Sequence, residues 1–338
     1  MLAYQIGHVE NEDAMMRVGM RRLLALLLLA LLLVPMAAAD EAIEIEVEVV
    51  IPGVKFSGAC ALLTRETPRS DACDAEIAAN PLPELTQLIE YDETRDGIAQ
   101  SRAVMLPEAG TPYPIGWQKR NWYFMDGPGI LPAANDWTNK RLVDHYEMFY
   151  IYNAVFEDNA WWYLIGAGKW MKEDYVSVLQ MPQRPEQVTG RWFTIDLQQQ
   201  VLLVLEDDQP VMATLVSSGY WLDTTAGLFQ VYARTLSMRM IGPPGAKPPV
   251  YDFQTKWAMF FNEHQAVHSA SFHNHFGLKR SHGCVNMVPG DIEWLWHYLG
   301  ENADEWDPIA DSFRVDNPEL APWVLVFNSD RDIVVQSW

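Results

Sequence analysis

Three things are scarce in this chain: positive charge, cysteine, and any apolar run long enough to cross a bilayer. Lys and Arg number 24 against 45 Asp and Glu, a formal net charge of −21. Phosphate binding needs a cationic footprint, so this balance argues against a nucleic-acid partner and leaves a solvated acidic surface. The longest apolar run near the N-terminus, residues 23–34, falls short of the roughly 20 residues a spanning helix requires. No internal repeat or low-complexity tract follows it. What is present is ample: 338 residues, 49% of them hydrophobic and 14 of them Trp, suffice for two domains with real cores.

Arg17, Arg21 and Arg22 precede the apolar run, and Pro35, Met36, Ala37, Ala38, Ala39 and Asp40 follow it. A basic start, a short apolar stretch and an A-x-A cleavage pattern predict a secretory signal over residues 1–39, with an uncleaved anchor as the alternative. The polar stretch before Arg17 fits no part of a signal, which suggests a start at Met16 or Met20. The expectation is an extracytoplasmic protein, in the cell wall or periplasm, touching membrane only through that signal or anchor. Outside the cytoplasm Cys60 and Cys73 are a candidate disulfide, against the alternative of two buried thiols. Cys284 is then left over, for intermolecular pairing or for catalysis.

Residues 40–181 read as a mostly β region. Ile43, Ile45, Val47 and Val49 alternate with glutamates, the period of a half-buried strand, and a short helix is expected over residues 81–91. Strands are expected at 149–156, 161–165 and 169–171, with turns at 157–159 and at a Gly-Ala-Gly break. The succession WWYLIG, a glycine turn, KWM and DYVSVL, within residues 145–181, resembles a bacterial SH3-like module; an unrelated small β domain is the competing reading. Residues 182–190 are polar, hold two prolines and are the candidate linker.

From Arg191 onward the pattern changes to a β hairpin over 193–217, further strands at 228–233, 259–267 and 323–327, and a closing strand at 333–335. One short helix is expected over 291–299, with Asp291 as its N-cap. The fold class expected is mainly β, with a chiefly antiparallel C-terminal domain over residues 191–338.

The segment Ser281-His282-Gly283-Cys284-Val285-Asn286-Met287 carries the chemistry. A thiol becomes a good nucleophile as thiolate, so it wants a base or amide dipoles beside it. Glycine before the cysteine lets the backbone turn tightly and aim N–H groups at a developing oxyanion. His268 lies sixteen residues upstream at the end of a strand-like stretch, placed so that an adjacent strand brings its imidazole to the thiol. Ser269 or its carbonyl is the candidate acceptor that orients the ring.

The run VHSASFHNHFGLKRSHGCVNM resembles the catalytic motif of the YkuD-type L,D-transpeptidases, and residues 191 to about 335 are similar to that domain, with its β-sandwich or mixed sheet. The resemblance implies Cys284 as nucleophile, His268 as general base, Ser269 as the partner that holds its tautomer, and the amides of His282, Gly283 and Cys284 as oxyanion hole. Asn286 stands where many members have arginine. Thr224-Thr225-Ala226-Gly227-Leu228-Phe229 matches a family stretch but lacks its proline, a change expected to act on loop stiffness. Ser281, Asn286, His273 and Phe272 are expected to line the cleft, and Trp257 and Tyr251 to form a lid, with core packing as the alternative for the aromatic residues. The implied reaction is a 3→3 cross-link between peptidoglycan stem peptides through a Cys284 thioester with loss of terminal D-alanine. It requires no cofactor and no metal. His264, His268, His273, His275 and His282 lack the ligand spacing of a zinc site. Hydrolysis or protein-to-wall attachment by the same nucleophile is a second reading, and a non-catalytic wall-binding protein a third.

Overall fold

The computed structural model describes residues 49–50, 56–82, 101, 103–131, 137–242, 248–300, 312–314 and 321–329. The signal region, most of the strand expected at 43–49, the helix expected over 81–91 past residue 82, and the strand expected at 333–335 lie outside them. Among the described residues no helix is long and apolar enough to cross a membrane.

Near the N-terminus the chain forms a helix whose sequence carries no apolar stripe to announce it, α1 (Asp71–Ala79). Ser70 caps it, its Oγ accepting from the Cys73 N–H at 3.2 Å. Cys73 on this helix is disulfide-bonded to Cys60. Two three-stranded sheets follow. Ile115–Gln118 lies between Met148–Tyr150 and Val176–Val178, and Asn153–Glu157, Ala160–Gly166 and Lys169–Lys172 form a meander. The single strand expected at 149–156 is therefore two strands. Asp158 and Asn159 turn the meander with φ of 52° and 59°, the left-handed pair that suits a two-residue hairpin. Phe149, Tyr163, Met171, Val176 and Val178 make the core of this region.

Residues 182–190 are no free tether. Val188 is fully buried, and Arg184 pairs with both oxygens of Asp208 at 2.9 and 3.0 Å while donating to the Val188 carbonyl. The prolines there signal irregular backbone, and tertiary contacts fasten it.

The apolar runs after Arg191 build one large sheet from β1 (Arg191–Asp196), β2 (Val201–Glu206), β3 (Gln209–Ser217), β4 (Gly227–Gln230), β5 (Ala233–Gly242), β6 (Tyr251–Asn262), β7 (Gln265–Ser269), β8 (Val285–Met287), β9 (Ser312–Arg314) and β10 (Trp323–Phe327). Their order is β4-β10-β1-β2-β3-β8-β7-β6-β5-β9, with Val104–Met105 paired to β3 as an eleventh strand. The pairs β1–β10 and β7–β8 are parallel and the rest antiparallel, so the sheet is mixed. β3 belongs to both halves. Its Val201-to-Glu206 partner strand lies on one side, and its last residues, Val216 and Ser217, pair with Met287 and Asn286 of β8. The sheet curls at β3 and closes on a core of Phe193, Ile195, Val204, Met259, Phe261, Val267 and Val285.

Helix α2 (Pro289–Gly300) fills that core with Ile292, Leu295, Trp296 and Leu299. Proline begins it, where the missing N–H costs nothing. Asp291 is thus inside the first turn and not the cap. Its buried carboxylate accepts from Ser101 Oγ and Thr214 Oγ1, each at 2.5 Å, tying the helix to β3 and to the N-terminal region. Trp296 is fully buried beneath Trp257 and the Arg234 guanidinium. Trp296→Ala should cost about 3–5 kcal/mol of unfolding free energy, read from urea midpoints.

Candidate active site

Parallel pairing of β7 with β8 sets His268 across from Asn286 and Ser269 across from Met287. Sixteen residues of sequence separation thereby become neighbouring strands, with Cys284 at the entry to β8. The turn that delivers Cys284 is tightly fastened. Ser281 Oγ accepts from the Gly283 N–H at 3.1 Å and donates to the Cys284 carbonyl. Thr224 Oγ1 donates to the Gly283 carbonyl and accepts from the Gly219 N–H, both at 2.9 Å. Gly283 has φ of +112°, which any residue with a Cβ adopts only under strain. Its N–H is consumed within the turn, which removes that amide from the expected oxyanion hole. The glycine serves conformation, and Ser281 is a brace for the turn in place of a cleft contact.

The imidazole of His268 is buried. Its Nδ1 lies 2.9 Å from the Ser269 carbonyl and 3.2 Å from Thr255 Oγ1, and that hydroxyl itself donates to the same carbonyl at 2.7 Å. An Nδ1 facing a carbonyl carries the proton, so Nε2 is left as the acceptor nitrogen. The orienting group is the Ser269 backbone; the side chain is not needed for it. Thr255 was not singled out from sequence, although Tyr251, Phe253 and Thr255 alternate with polar residues along one face of β6.

Burial pushes the His268 pKa down from 6.5 to about 4, against the opposing pull of its bond to Ser269. Burial also pushes the Cys284 thiol up, and the Ala266 N–H only partly offsets this. Both groups therefore rest neutral at pH 7. The thiol hydrogen-bonds the His264 carbonyl at 3.6 Å, so proton transfer to His268 requires it to leave that acceptor.

His273 is a second buried imidazole, pushed down to about 4 by burial and then by His275, Arg280 and His268. Its Nδ1 accepts from the His275 N–H at 3.2 Å. The Asn286 amide nitrogen lies 2.8 Å from Nε2, while its Oδ1 is buried without a partner; with Nδ1 accepting, Nε2 holds the proton, and turning the amide over would give that proton its acceptor. The polar contact left open at Asn286 is thus to His273.

Aromatic rings gather around the motif that carries the thiol. Tyr251 lies close enough for Cys284 to raise its pKa, after burial, and packs 5.1 Å from the His282 ring. Trp221 also stacks on His282, at 4.6 Å. Phe272, half exposed, contacts Phe253 and His273. Trp257 does not join them. Its φ is +57°, and its ring packs on Trp296 and His297 of α2, so it is core cover and no lid. Tyr220 and Trp221 were missed; their signal was two adjacent aromatics in a polar loop.

Residues 190–310 match the family model of YkuD, the L,D-transpeptidase catalytic domain. A comparison with curated proteins finds no match. Among solved structures, an L,D-transpeptidase from Stackebrandtia nassauensis is 21% identical, over 44% of this chain and 60% of its own, with a TM-score of 0.31. One from Enterococcus faecium is 20% identical over 41% of this chain and 50% of its own, at 0.32. One from Xylanimonas cellulosilytica DSM 15894 is 27% identical over 42% and 62%, at 0.26. The chain thus spans less than two thirds of the length of each of these proteins.

Two pH effects follow from the buried groups. His268 and His273 have folded pKa values below 6.5, so the unfolded chain binds more protons between pH 6.5 and about 4. Stability is complete above pH 6.5 and falls as pH drops, by up to about 3 kcal/mol per histidine. Urea midpoints across that range should show the loss, and His273→Gln should lessen it. Alkylation of Cys284 by iodoacetamide should titrate above the ordinary thiol value of about 8.5; a midpoint below it would mean a resting thiolate.

Proposed function

We propose, from the YkuD-type L,D-transpeptidase catalytic domain that residues 190–310 carry, that this protein is an exported acyltransferase acting on peptidoglycan stem peptides with Cys284 as nucleophile. The observation that carries the reading is the contact of His268 Nδ1 with the Ser269 carbonyl, which fixes the tautomer. With Nδ1 committed to the Ser269 carbonyl, the bare Nε2 on the strand next to Cys284 is the base that a neutral thiol needs.

In the proposed reaction Cys284 Sγ attacks the carbonyl carbon of the third stem residue as its proton passes to His268 Nε2. The tetrahedral oxygen is held by the backbone N–H groups of His282 and Cys284. The bond to the terminal D-alanine nitrogen breaks, that nitrogen takes the proton from His268, and a thioester remains. The side-chain amine of a second stem's third residue then attacks the thioester, gives its proton to His268, and expels the thiolate, which is reprotonated. The product is a 3→3 cross-link. Tyr251 beside the thiol, His282 and Trp221 packed on it, and Phe272 packed on Phe253 are the proposed substrate contacts. No step requires a metal or an organic cofactor.

Intact-mass spectrometry with a disaccharide-tetrapeptide tests this. The expected result is an adduct on the wild-type chain, absent in Cys284→Ala and slowed by about 10²-fold or more in His268→Ala. Free tripeptide as the sole product would convert the reading to hydrolysis. A Cys284→Ala protein that still released D-alanine would overturn it.

A further inference from the structure

Residues 270–284, which return the chain from His268 to Cys284, are held from two sides. On the inner side Ser217 Oγ donates to the His275 carbonyl and the Gly277 N–H donates to the Val216 carbonyl, both at 2.8 Å, so β3 anchors the loop. On the outer side the anchor comes from the N-terminal β region. Tyr146 donates its hydroxyl to Asn274 Oδ1 at 2.7 Å and accepts from the Phe276 N–H at 3.1 Å. His145, stacked on the Tyr146 ring, places Nε2 3.4 Å from the Phe276 carbonyl.

The turn presenting this phenol is strained. Tyr146 has φ of +73°, a region that bulky side chains rarely occupy, and it is only 5% exposed. The His145 N–H donates to Asn121 Oδ1 at 2.5 Å and the Tyr146 N–H to the Gln118 carbonyl at 2.9 Å, which hold the backbone in that conformation. Strain of this kind persists only where surrounding structure over-determines it, and here it aims one hydroxyl at one loop.

The contact leads to the strand after Cys284 through hydrogen bonds joined by short stretches of backbone. Asn274 and Phe276 flank His275, whose N–H donates to His273 Nδ1. His273 Nε2 meets Asn286, which sits two residues past Cys284 and opposite His268 in the β7–β8 register.

We propose that Tyr146 is a positioning residue for Cys284, and that the N-terminal β region buttresses the loop that sets the thiol against His268. Removing the hydroxyl strips the Phe276 N–H of its acceptor and Asn274 of its donor, which loosens the loop and the His273–Asn286 contact behind the active turn. The proposal rests on Cys284 being the nucleophile.

The test uses the full chain carrying Tyr146→Phe, Asn274→Ala, or both. Each is followed by thermal melting, by acylation with the disaccharide-tetrapeptide, and by the pH profile of Cys284 alkylation. Acylation in Tyr146→Phe should slow by about 10- to 100-fold with KM within about threefold, as expected of a displaced reacting atom. The alkylation midpoint should shift, and the double variant should be no slower than the slower single. Asn274 is exposed, so its variant reads the same contact from the loop side if Tyr146→Phe fails to fold. Wild-type acylation and an unshifted alkylation profile in the folded single variants would overturn the proposal, as would single effects that multiply in the double. Should the wild-type chain take no adduct from the peptide, the proposed function fails, and the alkylation profile alone still decides the positioning.

Discussion

The parallel pairing of β7 with β8 is the constraint from which the site's geometry follows. Two strands in parallel cannot be joined by a tight turn, so a long connection must leave Ser269 and come back to Cys284. That connection places His273 behind Asn286, brings Phe276 under Tyr146, and ends in the braced turn at Gly283. The same pairing puts the imidazole and the thiol on adjacent strands at the point where β3 joins the two halves of the sheet. Core, sheet curl and candidate site therefore share one set of backbone hydrogen bonds.

Desolvation governs the chemistry. Burial favours the neutral form of both His268 and Cys284, which sets this pair apart from a preformed thiolate–imidazolium couple. A neutral thiol is less open to adventitious oxidation and alkylation, because the thiolate is the reactive species. Its proposed activation waits for a substrate that displaces the thiol from the His264 carbonyl and brings it toward Nε2. The Thr255 hydroxyl and the Ser269 carbonyl keep the ring in the tautomer such a step needs.

The N-terminal region adds more than mass. Ser101 reaches the carboxylate of Asp291 at the start of α2, Val104–Met105 extends the sheet beside β3, and Tyr146 meets the loop before Cys284. Residues 182–190, with Arg184 clamped to Asp208 and Val188 buried, join the two regions without leaving them independent.

The residues from Ser281 to Met287, together with His268 and Ser269, suggest the proposed chemistry without reference to the fold. The proposed nucleophile and base and the tight-turn glycine are written in side-chain types and one local spacing. Strand periodicity likewise exposed β1, β2, β3 and β10, because alternation and continuous apolar runs are local properties. Local pattern could not carry the rest. It left Trp257 open between lid and core cover, and a positive φ with packing on Trp296 of α2 makes it cover. It placed the Gly283 amide in an oxyanion hole, yet Ser281 takes that N–H. It passed over Thr255 and Tyr146, whose partners lie 13 and 130 residues away. The sequence by itself determined which groups are candidates to react. Only the tertiary structure decided which of their nitrogens, amides and hydroxyls are free to do so, because hydrogen bonds between distant segments and burial from water are set by packing and leave no periodic trace in the chain.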